Sequence, residues 1–336
     1  MNALTRIAHL DVLLVISALA LFPLPSSVGA DDVAVTFGKP VKLGEGFGPI
    51  EGPAWDRKGA LYFSSLSDGK IYRWSKEKGA VLFKQLEGGC NGLRFDAAGN
   101  LLVCQPRGRR VLRITPTGKH EVVVDRYKGG RLNSPNDIWI APDGGVYFTD
   151  PRYGKGGELE QDGLYVFYLA PDGKTLVPMI KDLEKPNGIV GTADGKKLFV
   201  ADPKAKKVYS YIIGKNGTVA NRKVVADRGC DGLAVDEHGN LYLSGKVVEA
   251  YSPQGKVLAR LEPPAGVSNL TFGGEDGRTL FCTSRAGIFA ITMNAQGGSD
   301  PFAVVRDSQQ KPRETRKLAF GNNKPSKVVP EASTMP

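Results

Sequence analysis

Histidine is almost absent from this chain: there are three in 336 residues, and His9 lies in a leader-like segment at the amino terminus. The other two, His120 and His238, fall in an expected outer strand and a turn. A Ser-His-Asp triad or a multi-histidine metal centre is therefore poorly supported. Cysteine is scarce as well. Cys90, Cys104, Cys230 and Cys282 form no C-x-x-C pair, which argues against thiolate metal ligation. Buried free thiols are the expectation. No long 3.6-period run with helix caps is present. Beyond residues 13–22 there is no long apolar stretch, whereas a membrane span needs about 20 apolar residues. Basic residues are scattered through turns rather than concentrated with interleaved aromatics. The net charge is +10, but Lys204, Lys206 and Lys207, like Arg107, Arg109 and Arg110, sit in turns. Solubility or attraction to anionic partners is expected, not nucleic-acid binding.

What is present divides the chain into three parts. Residues 1–30 combine Arg6 and His9, the apolar run 13–22 and the small residues Val28, Gly29 and Ala30. This is the pattern of a secretory signal peptide cleaved near Ala30, so export to the periplasm or medium is expected. Residues 31–308 read as one domain without a linker. Residues 309–336 carry four prolines and six Lys or Arg with few apolar side chains, and read as a tail.

Within the domain one phrase recurs six times: an acid or amide, usually Gly, an apolar run, a Gly-bearing turn and a second apolar run. Its copies begin at Glu51, Asn91, Asn136, Asn187, Asp231 and Asn269, at intervals of 40, 45, 51, 44 and 38 residues. Further apolar runs such as 70–74, 110–115 and 207–213 follow each hairpin, and a more variable run follows those. Four strands per 40–45 residues is the period of a propeller blade. The expected fold is all-β: a six-bladed β-propeller of four-stranded antiparallel blades around a central channel. Residues 33–43 look like a strand that joins the last blade and protects its edge. Cys90 and Cys230 would then lie on opposite sides of the ring.

The innermost strand of each blade begins at one mouth of the channel, so the six phrase-leading residues form a ring of oxygens. Unpartnered polar groups there would be costly. A hard divalent cation, Ca²⁺ above all, takes carboxylate and amide oxygens, and two carboxylates match its charge. Zn²⁺, Mg²⁺ and Mn²⁺ remain open. Asn and Asp before Gly also suit turns, but a Glu at the first copy does not, and this favours metal ligation. Catalysis, if present, must run on metal and carboxylate, with Tyr, Arg or Lys as further candidates. Asp231, shorter than Glu51, is the better candidate base, although chemistry alone ranks the two weakly.

The phrases EGPAW at 51–55, RLNSPNDIWIAPDGGVYFTDPRYG at 131–154, KPNGI at 185–189 and CDGLAVDEHGNLYLS at 230–244 resemble the senescence-marker-protein/gluconolactonase family, which includes luciferin-regenerating enzymes. The second phrase is similar to bacterial gluconolactonase-type members. The resemblance implies that one divalent cation is held by Glu51, Asn136, Asn187 and Asp231. It also implies that Asp231 is the general base for attack of water on a sugar lactone. Animal members carry an Arg two residues before the third-blade Asn; Ser134 stands there, and Arg131 is the nearest arginine. Substrate contacts are therefore expected from Asn133, Asp150, Arg152 and Tyr153. The implied activity is that of an exported lactonase acting on a gluconolactone-like small molecule, monomeric by default. An ester or phosphotriester hydrolase and a non-enzymatic, Ca²⁺-stabilised binding propeller are the rival readings. The Gly- and Glu-rich loop 155–161 is a candidate lid.

Overall fold

The structure is a computed structural model that describes residues 34–153 and 159–303. The leader 1–30, the tail 309–336, both edges of the 31–308 domain and most of the candidate lid lie outside the described residues. Six four-stranded antiparallel sheets make six blades. Their inner strands are Ile50–Trp55, Leu93–Phe95, Ile138–Ile140, Ile189–Gly191, Leu233–Val235 and Val267–Gly273. Each touches the next in cyclic order, and the sixth returns to the first, so the ring is closed.

The repeated phrase explains the hairpins. In every blade the turn between the first and second strands holds a glycine at positive φ: Gly59, Gly99, Gly144, Gly195, Gly239 and Gly277. Such φ values cost a side chain strain but cost glycine little. An Asp one or three residues before each glycine accepts backbone N–H bonds within the turn, as Asp56 does from Lys58 and Ala60 and Asp236 does from His238 and Asn240. His238 is thereby a turn residue and His120 begins an outer strand, His120–Val124. Neither reaches the channel mouth.

The ring closes as the sequence suggests, with a shorter strand. Val41–Gly44 pairs antiparallel with Gly287–Thr292 and becomes the outer strand of the sixth blade. Pro40 lacks the N–H to extend the ladder. Upstream of it the contact continues through Gly38, which donates to the Thr292 carbonyl at 2.8 Å, a bridge from Phe37 to Met293, and Asn294, whose side chain accepts from the Thr36 N–H at 2.9 Å and donates to the Ala34 carbonyl at 2.6 Å.

Apolar layers fill the space between blades. Trp139, Tyr147, Tyr242, Phe63 and Phe148 are fully buried. Full burial of a large apolar side chain is worth about 1.5–3 kcal/mol. Trp139 also donates its indole N–H to the Ser299 carbonyl at 2.9 Å. It belongs to the core, as does Trp55, which stacks on Phe281 with centroids 5.3 Å apart. All four cysteines are buried free thiols. Among the described residues no helix is long and apolar enough to cross a membrane.

Candidate functional site

The Gly that follows the phrase-leading residue has a second use besides turns. A Cβ on Gly52 would lie 2.1 Å from the Asn91 carbonyl oxygen, and one on Gly92 2.7 Å from that of Asn136. On Gly188 it would lie 2.4 Å from the Asp231 carbonyl oxygen, and on Gly232 2.0 Å from the Asn269 side chain. Each glycine therefore lets the next blade's leading residue come close, and the six leaders are drawn into a tight ring. Hydrogen bonds between blades fix the ring: Gly92 N–H donates to the Asn136 carbonyl at 2.8 Å, Ser64 Oγ to that of Asn91 at 2.8 Å and Thr149 Oγ1 to that of Asn187 at 2.7 Å.

The leaders do not all occupy one strand position. In blades two to five they stand two residues before the inner strand. Glu51 and Asn269 lie inside theirs, beside irregularities in register at Glu51/Ala54 and Val267/Asn269. A bulge re-aims a side chain without ending the strand, and Pro53 is tolerated in the first of them.

Glu51, Asn187 and Asp231 come together at the mouth. Asn187 Nδ2 donates to Asp231 Oδ1 at 2.5 Å and to the Tyr153 hydroxyl at 2.8 Å. Burial, then the nearby Asp231 and Asp137, raise the Glu51 carboxyl well above its ordinary range. Burial raises that of Asp231 too, opposed by hydrogen bonds from Asn187 and Glu51. Two carboxyls this close share a proton in the absence of a cation. Asp231 keeps an exposed edge while protein crowds its carboxyl, so it is the member of the pair that water can reach. Asn136 is buried on the same rim, and its side chain makes no hydrogen bond among the described residues.

The residues expected to touch substrate divide into two kinds. Asp150 is fully buried and accepts backbone N–H bonds from Asn133 at 2.8 Å and Ser134 at 2.7 Å. Burial pushes its carboxyl up to about 7 against those donors. Asn133, also fully buried, donates its amide to the carbonyls of Asp150 and Gly163. Both side chains thus hold the loop that delivers Asn136. Asp202 does the same in the next blade, accepting from Glu184 at 2.7 Å and Lys185 at 3.0 Å ahead of Asn187. Arg152 and Tyr153 face outward from this clasp. Arg152 Nη1 donates to the Asn133 carbonyl at 3.2 Å. Tyr153 is 37% exposed and lines a pocket of ≈ 460 Å³ with Asn187, Pro203, Lys206, Gly229, Cys230 and Asp231. Lys185 Nζ lies 4.0 Å from the centre of the Tyr153 ring.

Sequence reasoning missed Asp137. It stands where four other blades carry the close-approach glycine, and its carboxylate enters the channel below the mouth. Burial pushes it up to about 6, opposed by the Ile138 N–H, the Arg94 guanidinium, the Ile189 N–H and Asn269. Asn269 Nδ2 lies 3.5 Å from Asp137 Oδ2 and also bonds Glu51, so it links the two carboxyls. Arg94 sits beside Asp137 with a buried Nε that has no hydrogen-bond partner among the described residues. The legible signal was the break in the Asn-Gly pattern at Asn136-Asp137.

The donor set suits a hard cation. Among the described residues no three Asp, Glu, His or Cys side chains cluster to hold a metal. A shell here must therefore combine the two carboxylates with amide oxygens, which is the chemistry of Ca²⁺. No lysine or arginine forms an ion pair with Glu51 or Asp231 among the described residues, so their charge is left for a cation to neutralise.

Comparison with known proteins agrees with this architecture. A profile of the SMP-30/gluconolactonase/LRE-like region matches residues 49–286. A gluconolactonase from Zymomonas mobilis is 30% identical over 285 residues, covering 74% of this chain and 79% of its own. A 6-deoxy-6-sulfogluconolactonase from Pseudomonas putida is 28% identical over 296 residues, covering 75% and 94%. The solved structure of a gluconolactonase from Xanthomonas campestris superposes with a TM-score of 0.71 at 29% identity, covering 76% and 89%. A closed six-bladed ring, matched along most of its length by a single family, makes this chain a member of the SMP-30/gluconolactonase/LRE-like family.

Proposed function

We propose that the protein hydrolyses a sugar lactone to its hydroxy acid at the Glu51–Asp231 mouth, with one divalent cation, Ca²⁺ by the donor set. The protein is a lactonase by family, since relatives bearing gluconolactonase names match most of the chain. The observation that carries the cation is the meeting of the buried Glu51 carboxyl with the water-accessible Asp231 carboxyl, both raised, with amides and a tyrosine and, among the described residues, no ion-paired base. Glu51, Asn136, Asn187 and Asp231 would hold the ion. When bound, it supplies Lewis-acid polarisation of the lactone carbonyl.

The chain's own groups do the rest. Asp231, reachable by water, takes a proton as the water oxygen bonds to the lactone carbonyl carbon. The ring C–O bond then breaks and the proton passes from Asp231 to the ring oxygen, leaving a free hydroxyl and a carboxylic acid that ionises and releases its own proton to solvent. The Tyr153 hydroxyl accepts from Asn187, so its own proton is available to a substrate oxygen. Burial raises Tyr153 and keeps it protonated as a donor. Arg152 and Tyr153 contact substrate, while Asn133 and Asp150 position them. Export, directed by residues 1–30, belongs to the same reading.

Asp231→Asn tests the assignment. Acid release from glucono-δ-lactone in a pH-stat is expected to fall by about 10²–10⁴-fold, with the fold intact by circular dichroism. Hydrolysis at the wild-type rate would remove Asp231 as the base.

A further inference from the structure

The pocket beside Asp231 carries a lysine that the hydrolysis of a neutral lactone does not use. Lys206 immediately precedes the third strand of blade four, Lys207–Ile213, and adopts φ +54. The corresponding residue of blade one is Gly69, at φ +69, which suits glycine. In blade two it is Arg109, also at φ +54, and its side chain has structural work: Nε donates to the Leu132 carbonyl and Nη1 pairs with Glu160 at 2.8 Å. Lys206 has no such use. Its neighbours are engaged, Lys204 with Glu184 at 3.5 Å and Lys207 with Asp227 at 2.6 Å. Among the described residues Lys206 itself makes no ion pair or side-chain hydrogen bond, yet it lines the pocket with Asp231, Asn187 and Tyr153. The φ belongs to the turn, where the Lys206 N–H donates to the Pro203 carbonyl at 3.3 Å, so what points to a ligand is the ammonium left without a protein partner among the described residues at a pocket wall. A second ammonium, that of Lys185, lies on the Tyr153 ring at the same mouth.

We propose, resting on the lactonase reading above, that Lys206, with Lys185, receives an anionic group of the substrate, so that the preferred lactones bear an acid. Two ammonium groups at this mouth gain most from a molecule that carries negative charge. They serve a molecule whose carbonyl end meets the carboxylates and whose far end carries a carboxylate, phosphate or sulfonate. Lysine acts on such a group as a point charge.

The test compares kcat/KM for glucono-δ-lactone (neutral), 6-phosphoglucono-δ-lactone (phosphate) and a glucarolactone (carboxylate). The proteins are wild type, Lys206→Gly and, as control, Lys204→Met, which alters a neighbouring lysine outside the pocket. Glycine fits the φ at this position, so a loss of folding does not confuse the result, and thermal unfolding checks it. We expect the wild type to prefer at least one acid-bearing lactone and Lys206→Gly to lower the acid-to-neutral ratio by about tenfold or more. The preference should shrink as salt rises, and Lys204→Met should leave the ratio unchanged. The two acidic substrates tell phosphate from carboxylate. If neutral and acidic lactones are both hydrolysed and Lys206→Gly keeps the wild-type ratio, this proposal is overturned and the lactonase reading stands. If no lactone is hydrolysed, both fall.

Discussion

At the scale of single residues, the proposed chemistry depends on the Glu51 and Asp231 carboxyls at the mouth, with Asp137 close to Glu51. Glu51, Asp137 and Asp231 each bind a proton more tightly in the folded chain than in the unfolded one. The consequence for stability has a definite sign. Without a cation, their contribution is fully present below about pH 4, the unfolded carboxyl range. It is lost as pH rises through the folded values, about 6 for Asp137 and a raised value for the Glu51–Asp231 pair. A bound cation replaces the shared proton and removes the loss for that pair. Added Ca²⁺ should therefore raise Tm more at pH 8 than at pH 5. Each shifted unit of a buried carboxyl is worth at most about 1.4 kcal/mol, and less at Asp231, whose exposed edge is screened by solvent; one kcal/mol moves Tm by roughly 2–4 °C in a domain of this size. Thermal scans at both pH values, with Ca²⁺ and with chelator, measure it. An equal increment at the two pH values would mean that Ca²⁺ is bound elsewhere.

At the scale of elements, two neighbouring loops share one device. The second strands of blades three and four end in Asp-Pro, at Asp150 and Asp202, and each carboxylate clasps the two backbone N–H groups that open the loop before Pro135-Asn136 or Pro186-Asn187. Asp150→Asn or Asp202→Asn leaves one of those donors facing an amide NH₂. The expected cost is about 1–3 kcal/mol each, seen as a lower Tm together with weaker Ca²⁺ binding in a calorimetric titration. A loss of Tm with unchanged Ca²⁺ affinity would show that the clasp does not position the asparagines. The strands, the glycine turns and the closing strand were legible in the sequence because they follow from period-two patterning and from φ requirements that few residues meet. The clasps were not: DPRYG reads equally well as a turn or as a substrate contact until its hydrogen bonds are seen. Asp137 was hidden because it replaces a glycine whose purpose, close approach between blades, is a property of the ring rather than of any one repeat. Lys206 was lost among turn lysines, since neither its φ nor its lack of a partner is written in the local pattern.

At the scale of the whole molecule, no single blade contains the proposed site. Glu51 comes from blade one, Asn136 and Tyr153 from blade three and its loop, Asn187 and Lys206 from blade four, and Asp231 from blade five. Only a closed ring sets them at one mouth, and closure depends on Val41–Gly44 completing the sixth blade. Below the mouth, Asn269, Asp137 and Arg94 continue the charged axis into the channel, so the carboxylates at the top are held by the ring as a unit. The central claim is that these side chains make one cation-dependent lactonase site. The direct measurement is hydrolysis of glucono-δ-lactone above its spontaneous rate by protein stripped with chelator and then titrated with Ca²⁺. The account predicts a loss of about 100-fold or more on stripping and recovery that saturates near one equivalent of ion. Hydrolysis that persists undiminished in protein verified to be metal-free would contradict it.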